Sequence, residues 1–372
     1  MTDDASSDGL FPAERTAMVR AVVLAAAGAG SALPNPVVGC VLLDPAGVTV
    51  GEGFHAHAGG PHAEVVALGQ AGPAAAGATA VVTLEPCRHT GRTGPCTRAL
   101  LAAGVRRVVI AVPDPWSPAA GGAQELRDRG VDVVELPPGE LRSAAEDVNR
   151  VWLTAVGRRR PFVTAKAGVT VDGRVAAPDG SSRWITSPES RRDVHELRAQ
   201  ADTMMVGVGT VLADDSWLTV RQPDGSRAER QPLRVVLDTD SRTPGTARVL
   251  DDVAPTLLAT ATEFGRNSAG HVDAAAVLAE LYRRGRRHVL LEGGPRVTTA
   301  LLDAGLVDEI ILYVAPLVLG AGRSVLDGGR AATLTDAHPA ELRDVQQIGP
   351  DVRLRYALTI APPVVLDRFG AE

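Results

Sequence analysis

Apolar runs of strand length alternate with stretches of helical spacing along this chain, and the alternation occurs twice. Small and apolar residues over 12–29, with Pro12 in the first turn and Gly28 and Gly30 near the end, predict a helix. The turn Leu33-Pro34-Asn35-Pro36 leads into an uninterrupted apolar run over 37–43, a buried strand. Asp44-Pro45-Ala46-Gly47 then turns the chain into a second strand over 48–54. Helices over 62–70, 95–103, 123–129 and 140–156, with strands over 79–84, 106–112 and 131–135, complete a first α/β layer. Arg158-Arg159-Arg160-Pro161 reads as a linker, because Pro161 cannot continue a helix and keeps its predecessor extended. The pattern restarts with strands over 162–169, 203–206, 233–237, 256–259 and 287–291, and with helices over 188–199, 273–283 and 296–303. Two α/β domains in tandem follow, each a mixed sheet flanked by helices, over 12–157 and 161–366. A length of 372 residues suits two cores better than one. Residues 1–11 read as disordered.

Composition narrows the function classes. A net charge of −6 and 3% aromatic residues, with no basic stripe carrying stacking residues, argue against a nucleic-acid surface. No apolar run reaches membrane-spanning length, and the acidic start Met1-Thr2-Asp3-Asp4 lacks a secretory pattern. Three cysteines, two of them in one candidate site, suit a reducing cytoplasm, and Cys40, inside an apolar run, reads as a core thiol. Among 38 basic residues only Lys166 is lysine, a compact point charge that arginine does not imitate. That singles it out as a candidate site residue.

The chemistry concentrates between Pro61 and Cys96. Pro61-His62-Ala63-Glu64 opens the stretch, and Glu85-Pro86-Cys87, then Pro95-Cys96, closes it. One histidine and two cysteines suit zinc, and three protein ligands leave a fourth position for water. Zinc lowers the pKa of its water from ~15.7 towards ~7, and Glu64, two residues after the ligand histidine, is placed to carry protons. His-x-Glu followed by Pro-Cys-x-x-Cys marks zinc deaminases of nucleobases. Here eight residues, not two, separate Cys87 from Cys96, and the Gly- and Thr-containing intervening segment reads as a loop that returns both sulfurs to one metal. In the second half, Glu292-Gly293-Gly294-Pro295 between a strand and a helix reads either as a phosphate cradle or as a tight turn. No Gly-x-Gly-x-x-Gly fingerprint follows a strand, which disfavours a Rossmann site.

Both halves resemble one family, the bifunctional deaminase/reductase of riboflavin biosynthesis, from about residue 15 to about residue 358. The first half carries Asn35-Pro36, Val38-Gly39-Cys40, Gly51-Glu52-Gly53, His62-Ala63-Glu64, Thr83-Leu84-Glu85-Pro86-Cys87 and Pro95-Cys96. The second carries Lys166, Asp172-Gly173-Arg174, Trp184-Ile185-Thr186-Ser187, Arg198-Ala199, Val206-Gly207-Val208-Gly209-Thr210 and Glu292-Gly293-Gly294-Pro295. The long spacing between the cysteines is that family's own. The resemblance implies a cytidine-deaminase-like three-layer domain followed by a dihydrofolate-reductase-like domain. It implies one zinc per chain, NADPH, a phosphorylated pyrimidine substrate and a homo-oligomer, dimer or tetramer. Carried over by position, His62, Cys87 and Cys96 would bind zinc and Glu64 would shuttle protons. Asn35, His55, His89 and Arg92 would hold the deaminase substrate. Ser182, Arg198, Leu218, Arg221 and Glu292 would hold the reductase substrate, and Gly168, Trp184, Thr210, Asp214 and Gly294 would border NADPH. Lys166 and Asp172 are further reductase-site candidates. Arg198 and Arg221 suit a phosphate chemically, while His55 and His89 read equally well as loop histidines. The chain departs from the family pattern at Asp114-Pro115-Trp116-Ser117-Pro118, where an amide is replaced by Trp and Ser.

Two other readings compete. A zinc deaminase acting on another nucleoside or an RNA base would call for a basic, aromatic surface that the composition lacks. A purely structural zinc would call for a fourth protein ligand, for which His89 is the candidate.

Overall fold

Where β-branched and leucine residues run without interruption, the chain forms strands buried on both faces, and alternate residues feed two different cores. The computed structural model describes residues 9–90, 94–116 and 118–359, and the chain divides into two compact units, Met1–Gly157 and Arg158–Glu372.

The first unit holds helix α1 (Pro12–Ala26), strands β1 (Gly39–Leu43) and β2 (Thr49–Phe54), helix α2 (Ala63–Ala71), strand β3 (Thr79–Leu84), helix α3 (Cys96–Ala102), strand β4 (Arg107–Val112), helix α4 (Gly122–Asp128), strand β5 (Asp132–Glu135), and helices α5 (Glu140–Val148) and α6 (Arg150–Arg158). Its sheet runs β2-β1-β3-β4-β5, antiparallel through β1 and parallel from β3 to β5. Cys40, Leu42, Val108 and Ile110 face α2, α3 and α4, whereas Val41, Leu43, Val109 and Ala111 face α1, α5 and α6. Three layers result. Glycine permits the close contact that sets the site: a Cβ on Gly53 of β2 would lie 2.4 Å from the Ala63 carbonyl oxygen. The first turn of α2 is thereby pressed onto the sheet.

The second unit adds β6 (Phe162–Thr170), β7 (Arg174–Ala176), α7 (Pro188–Gln200), β8 (Thr203–Gly207), α8 (Val208–Asp214), β9 (Leu233–Leu237), β10 (Thr256–Ala259), α9 (Ala261–Phe264), α10 (Ala274–Arg283), β11 (His288–Leu291), α11 (Pro295–Asp303), β12 (Glu309–Ala315), β13 (Arg323–Ser324), β14 (Ala340–Ile348) and β15 (Asp351–Leu358). The main sheet runs β10-β9-β8-β11-β6-β12-β15-β14, parallel as far as β12 and antiparallel beyond it, and β13 pairs with β7 separately. One face packs Val163, Met205, Val235 and Val289 against α10 and α11. The other packs Met204, Val206, Val236 and Leu290 against α7 and α8. Among the described residues no helix is long and apolar enough to cross a membrane.

Three departures from expectation have physical causes. The helix expected over 140–156 breaks at Asn149, whose buried amide oxygen accepts the Val37 N–H at 3.1 Å. The strands β12, β14 and β15 go beyond the expected set. No residue of β14 and only Asp351 of β15 is buried, although Val352, Leu354, Tyr356 and Leu358 alternate along β15. Leu10, expected to be disordered, is fully buried in the core beneath α1, while residues 1–8 and the expected domain end at 366 lie outside the described residues.

The segment read as a linker is anchored on the second unit. Arg158 ends α6, and its Nη1 lies 2.5 Å from Oδ1 of buried Asp308; Arg160 reaches both oxygens at 2.7 and 2.9 Å. The Val163 N–H also donates to Asp308, at 2.8 Å. Removing one partner of such a buried ion pair leaves charge uncompensated, so we expect Asp308→Ala to cost about 3 kcal/mol. Urea unfolding of the second unit would measure it, and an unchanged midpoint would refute the anchor.

Candidate active sites

In the first unit the zinc-type ligands come from three element ends. His62 is the N-cap of α2, Cys87 follows β3 across Glu85-Pro86, and Cys96 is the first residue of α3. His62 Nδ1 lies 3.1 Å from Cys96 Sγ and 3.5 Å from Cys87 Sγ, and all three donor atoms fall within 4.8 Å of one another. A nitrogen and two sulfurs gathered so tightly from distant sequence positions fit zinc chemically. Among the described residues the cluster has these three members, and His89 is not one of them. A hydrogen bond from Cys96, aided by His62, pushes the Cys87 thiol down despite burial. Glu64, in the first turn of α2, is buried, and burial raises its carboxyl pKa.

Around this cluster the expected substrate residues sort into distinct roles. His55 is buried; its Nδ1–H donates to the Pro61 carbonyl at 3.0 Å, which leaves Nε2 to accept from the Asn35 amide at 3.0 Å. Burial lowers its pKa, and its ring meets that of His62 edge to face at 5.2 Å. His55 therefore orients both the ligand histidine and Asn35. His89 packs edge to face on Trp116 at 5.3 Å. Arg92 lies outside the described residues.

The sequence reading passed over Glu85. Its buried carboxylate accepts the N–H groups of Asp114 at 2.9 Å, Gly121 at 3.1 Å and Ala123 at 2.9 Å. A glutamate in an apolar run immediately before Pro86-Cys87 was the available signal.

In the second unit a charge cluster forms where β6, β11 and α7 converge. Glu292 Oε1 accepts from Arg198 Nε at 2.6 Å; its Oε2 accepts from Arg198 Nη2 at 2.9 Å and lies 3.0 Å from Lys166 Nζ. The single lysine thus belongs to this cluster. Arg198 Nη1 also donates to the Thr219 carbonyl at 3.1 Å, so three of its five N–H groups are committed. His195, one helical turn before Arg198, was also passed over. It accepts the Arg221 N–H at 3.2 Å, and burial, with the Arg198 charge next, pushes its pKa down to about 4. It is neutral at pH 7 and fixes the backbone of Arg221. The i, i+3 spacing of His195 and Arg198 on one helix was the signal.

The remaining reductase candidates divide. Gly294 caps α11 without a side-chain bond, and a Cβ placed on it would lie 3.8 Å from Thr210 Oγ1 of α8. The starts of α8 and α11 therefore adjoin, and bare backbone at a helix start suits the phosphates of NADPH. Gly168 is close-packed, since a Cβ there would meet Thr186 Cγ2 at 2.9 Å. Trp184 is exposed, follows a cis peptide and carries the Arg191 guanidinium 4.5 Å over its ring, while Arg183 Nη2 donates to the Asp214 carbonyl at 2.8 Å. Ser182 is exposed in the loop before it. Leu218 is buried in the core with φ of 53°, so its backbone rather than its side chain is on offer. Asp172 uses its carboxylate to accept from Thr170 Oγ1 at 2.7 Å and from the Leu319 and Gly320 N–H groups at 3.1 and 2.8 Å. It clamps a loop.

Comparison with known proteins agrees with both halves. Residues 12–112 match the family described as cytidine and deoxycytidylate deaminase zinc-binding region, and residues 161–354 match the RibD C-terminal domain. Fold and site thus define a two-domain enzyme, a cytidine-deaminase-like zinc deaminase joined to a reductase. Riboflavin biosynthesis protein RibD of Escherichia coli is 41% identical, with 91% of this chain and 97% of that protein covered. Its counterpart in Corynebacterium ammoniagenes is 45% identical over 83% and 87%. The structure of Acinetobacter baumannii RibD has a TM-score of 0.83 at 38% identity, covering 93% of this chain and 99% of that one. The chain belongs to the RibD family.

Burial alone would raise the Glu292 carboxyl pKa, but the charges of Arg198 and Lys166 outweigh it and hold the group well below the usual carboxylate range. A depressed folded pKa contributes stability that is complete above the unfolded value near ~4.3 and is lost as pH falls through the folded value. We therefore expect the stability of the second unit to fall more steeply below pH about 4 in the wild type than in Glu292→Gln. Parallel denaturation curves against pH would contradict this.

Proposed function

We propose that this chain carries out two consecutive steps of riboflavin biosynthesis, with residues 12–157 as the deaminase and 161–366 as the reductase. The first step hydrolyses the ring amino group of 2,5-diamino-6-ribosylamino-4(3H)-pyrimidinone 5′-phosphate: water adds, a carbonyl forms and ammonia leaves. The second reduces the ribosyl side chain to ribityl, taking a hydride from NADPH and a proton from solvent. The observation that carries this reading is the His62, Cys87 and Cys96 cluster with Glu64 in the first turn of the same helix as His62.

Zinc held by those three residues supplies Lewis acidity and a water of lowered pKa. Glu64 takes a proton from the attacking water and delivers it to the departing amine, and its burial keeps that carboxyl basic enough to do so. Asn35, oriented by His55, presents its amide oxygen to the pyrimidine, and His89 and Arg92 complete the substrate contacts. In the reductase half NADPH supplies the hydride, bordered by Gly168, Trp184, Thr210, Asp214 and Gly294. Ser182, Arg221, the Leu218 backbone and the two uncommitted N–H groups of Arg198 hold the phosphorylated sugar, while Glu292 and Lys166 meet its hydroxyls. Asp172 shapes this site through the loop it clamps. The enzyme works in the cytoplasm as a dimer or tetramer; the exposed Leu342, Val345 and Val352 of β14 and β15 suit an apolar contact with a second copy.

The deciding experiment combines metal analysis with a coupled assay that scores ammonia release and NADPH oxidation separately. About one zinc per chain with both signals is expected, and zinc with neither signal would overturn the reading. Glu64→Ala should lose deamination by about 100-fold or more, the usual scale of acid–base catalysis. It should retain zinc and still reduce supplied deaminated substrate, and loss of zinc would refute the shuttle role. Lys166→Arg keeps the charge but not the compact ammonium, and should slow reduction alone; a wild-type reduction rate would show that the single lysine has no special role.

A further inference from the structure

We propose that Trp116 is a positioning residue of the deaminase half, clamping the His89 ring and thereby setting affinity for the phosphorylated pyrimidine. The inference rests on the reading above, in which His89 contacts substrate.

Three observations converge. First, the two rings meet edge to face, with centroids 5.3 Å apart and planes at 87°, the geometry that aromatic pairs prefer. Second, His89 Nδ1 is buried and has no hydrogen-bond partner among the described residues. A buried polar atom in that state costs free energy until a partner arrives, and a polar atom of a ligand would satisfy it. His89 also lines a cavity of about 620 Å³, together with Arg88, Arg129, Glu125 and Asp128. Third, the backbone carrying Trp116 is tied to the zinc-type cluster from both sides. Asp114 donates to Glu85 and accepts the Trp116 N–H at 2.8 Å. The Trp116 carbonyl accepts from Ala119 and Ala120 at 2.9 and 3.1 Å, and Ala119 packs on Cys87 and Cys96. The Arg88 N–H closes the circuit on the Ala119 carbonyl at 3.3 Å.

Such a frame fixes the backbone that carries the indole, and the ring itself, 40% exposed, rests on His89. That exposure separates positioning from packing. Truncating a half-exposed ring opens no core cavity, so the effect should pass to His89 and to ligand binding rather than to the fold.

The test uses the full-length, zinc-loaded chain with Trp116→Ala and Trp116→Phe. We expect Trp116→Ala to raise KM for deamination about three- to tenfold, the equivalent of one aromatic pair, with kcat little changed. Phenylalanine should restore most of the affinity, and zinc content and reduction of deaminated substrate should stay at wild-type values. In NMR spectra the His89 ring protons should carry a ring-current shift that persists in Trp116→Phe and disappears in Trp116→Ala. An unchanged KM in Trp116→Ala, equal losses in both variants, or a His89 signal indifferent to residue 116 would each overturn the proposal. Absence of ammonia release from the wild type would instead sink the functional reading, and the His89 shift would then decide the clamp by itself.

Discussion

Backbone N–H groups left over at the ends of strands and in the first turns of helices must find acceptors when they are buried, and this protein meets that demand with carboxylates. Glu85 accepts three such groups beside the cysteine ligands. Asp308 accepts Val163 where the second unit begins, Asp202 accepts Arg287 and His288 at the entry to β11, and Asp351 accepts Ser187 at the start of α7. Each joins segments far apart in sequence at a point where a sheet gives way to a loop. The functional side chains are held by these junctions. His62 and Cys96 begin helices, Cys87 follows a strand, and Glu292 follows the strand that Asp202 starts.

The two sites reach order by opposite electrostatic routes. In the first unit the groups near the metal ligands are kept neutral or made anionic: His55 is locked as a neutral donor and acceptor, and Cys87 is biased towards thiolate. That set welcomes a divalent cation. In the second unit two cations, Lys166 and Arg198, share one carboxylate, Glu292, with a neutral His195 against them. The surplus positive charge there suits a phosphorylated ligand, and it keeps Glu292 ionised within a largely buried cluster.

How much of this was legible varied with the kind of interaction. The ligand set was readable because metal chemistry restricts residue types and spacing, so His62, Glu64, Cys87 and Cys96 stood out before any coordinates did. The strands β3 and β9 fall on the expected residues because buried strands are continuous apolar runs, and the half-buried edge strand β10 does so too. What stayed hidden depends on pairings across long sequence separations. Nothing local marks Asn149 as the acceptor for Val37, or Glu85 as the acceptor for three amides of a later loop. His55 read either as a substrate contact or as a loop histidine, and in the fold it stands behind Asn35. Asp172 was a site candidate, and the fold makes it the clamp of a loop about 150 residues further along the chain. The exposed β14 offered no apolar face to read, whereas β15, mostly half-buried, was missed although Val352, Leu354, Tyr356 and Leu358 alternate along it.

The solitary lysine has a consequence of a different kind. Lys166 is the one primary amine among the side chains, the other basic groups being guanidinium or imidazole, so the sequence offers amine-selective reagents one side-chain target, and that ammonium is ion-paired to Glu292. Covalent labelling that would coat an ordinary protein surface becomes, in this chain, a reporter on one ion pair. The extent of acylation at that nitrogen measures how often the pair opens, and anything that settles into the reductase half should register there before it registers elsewhere.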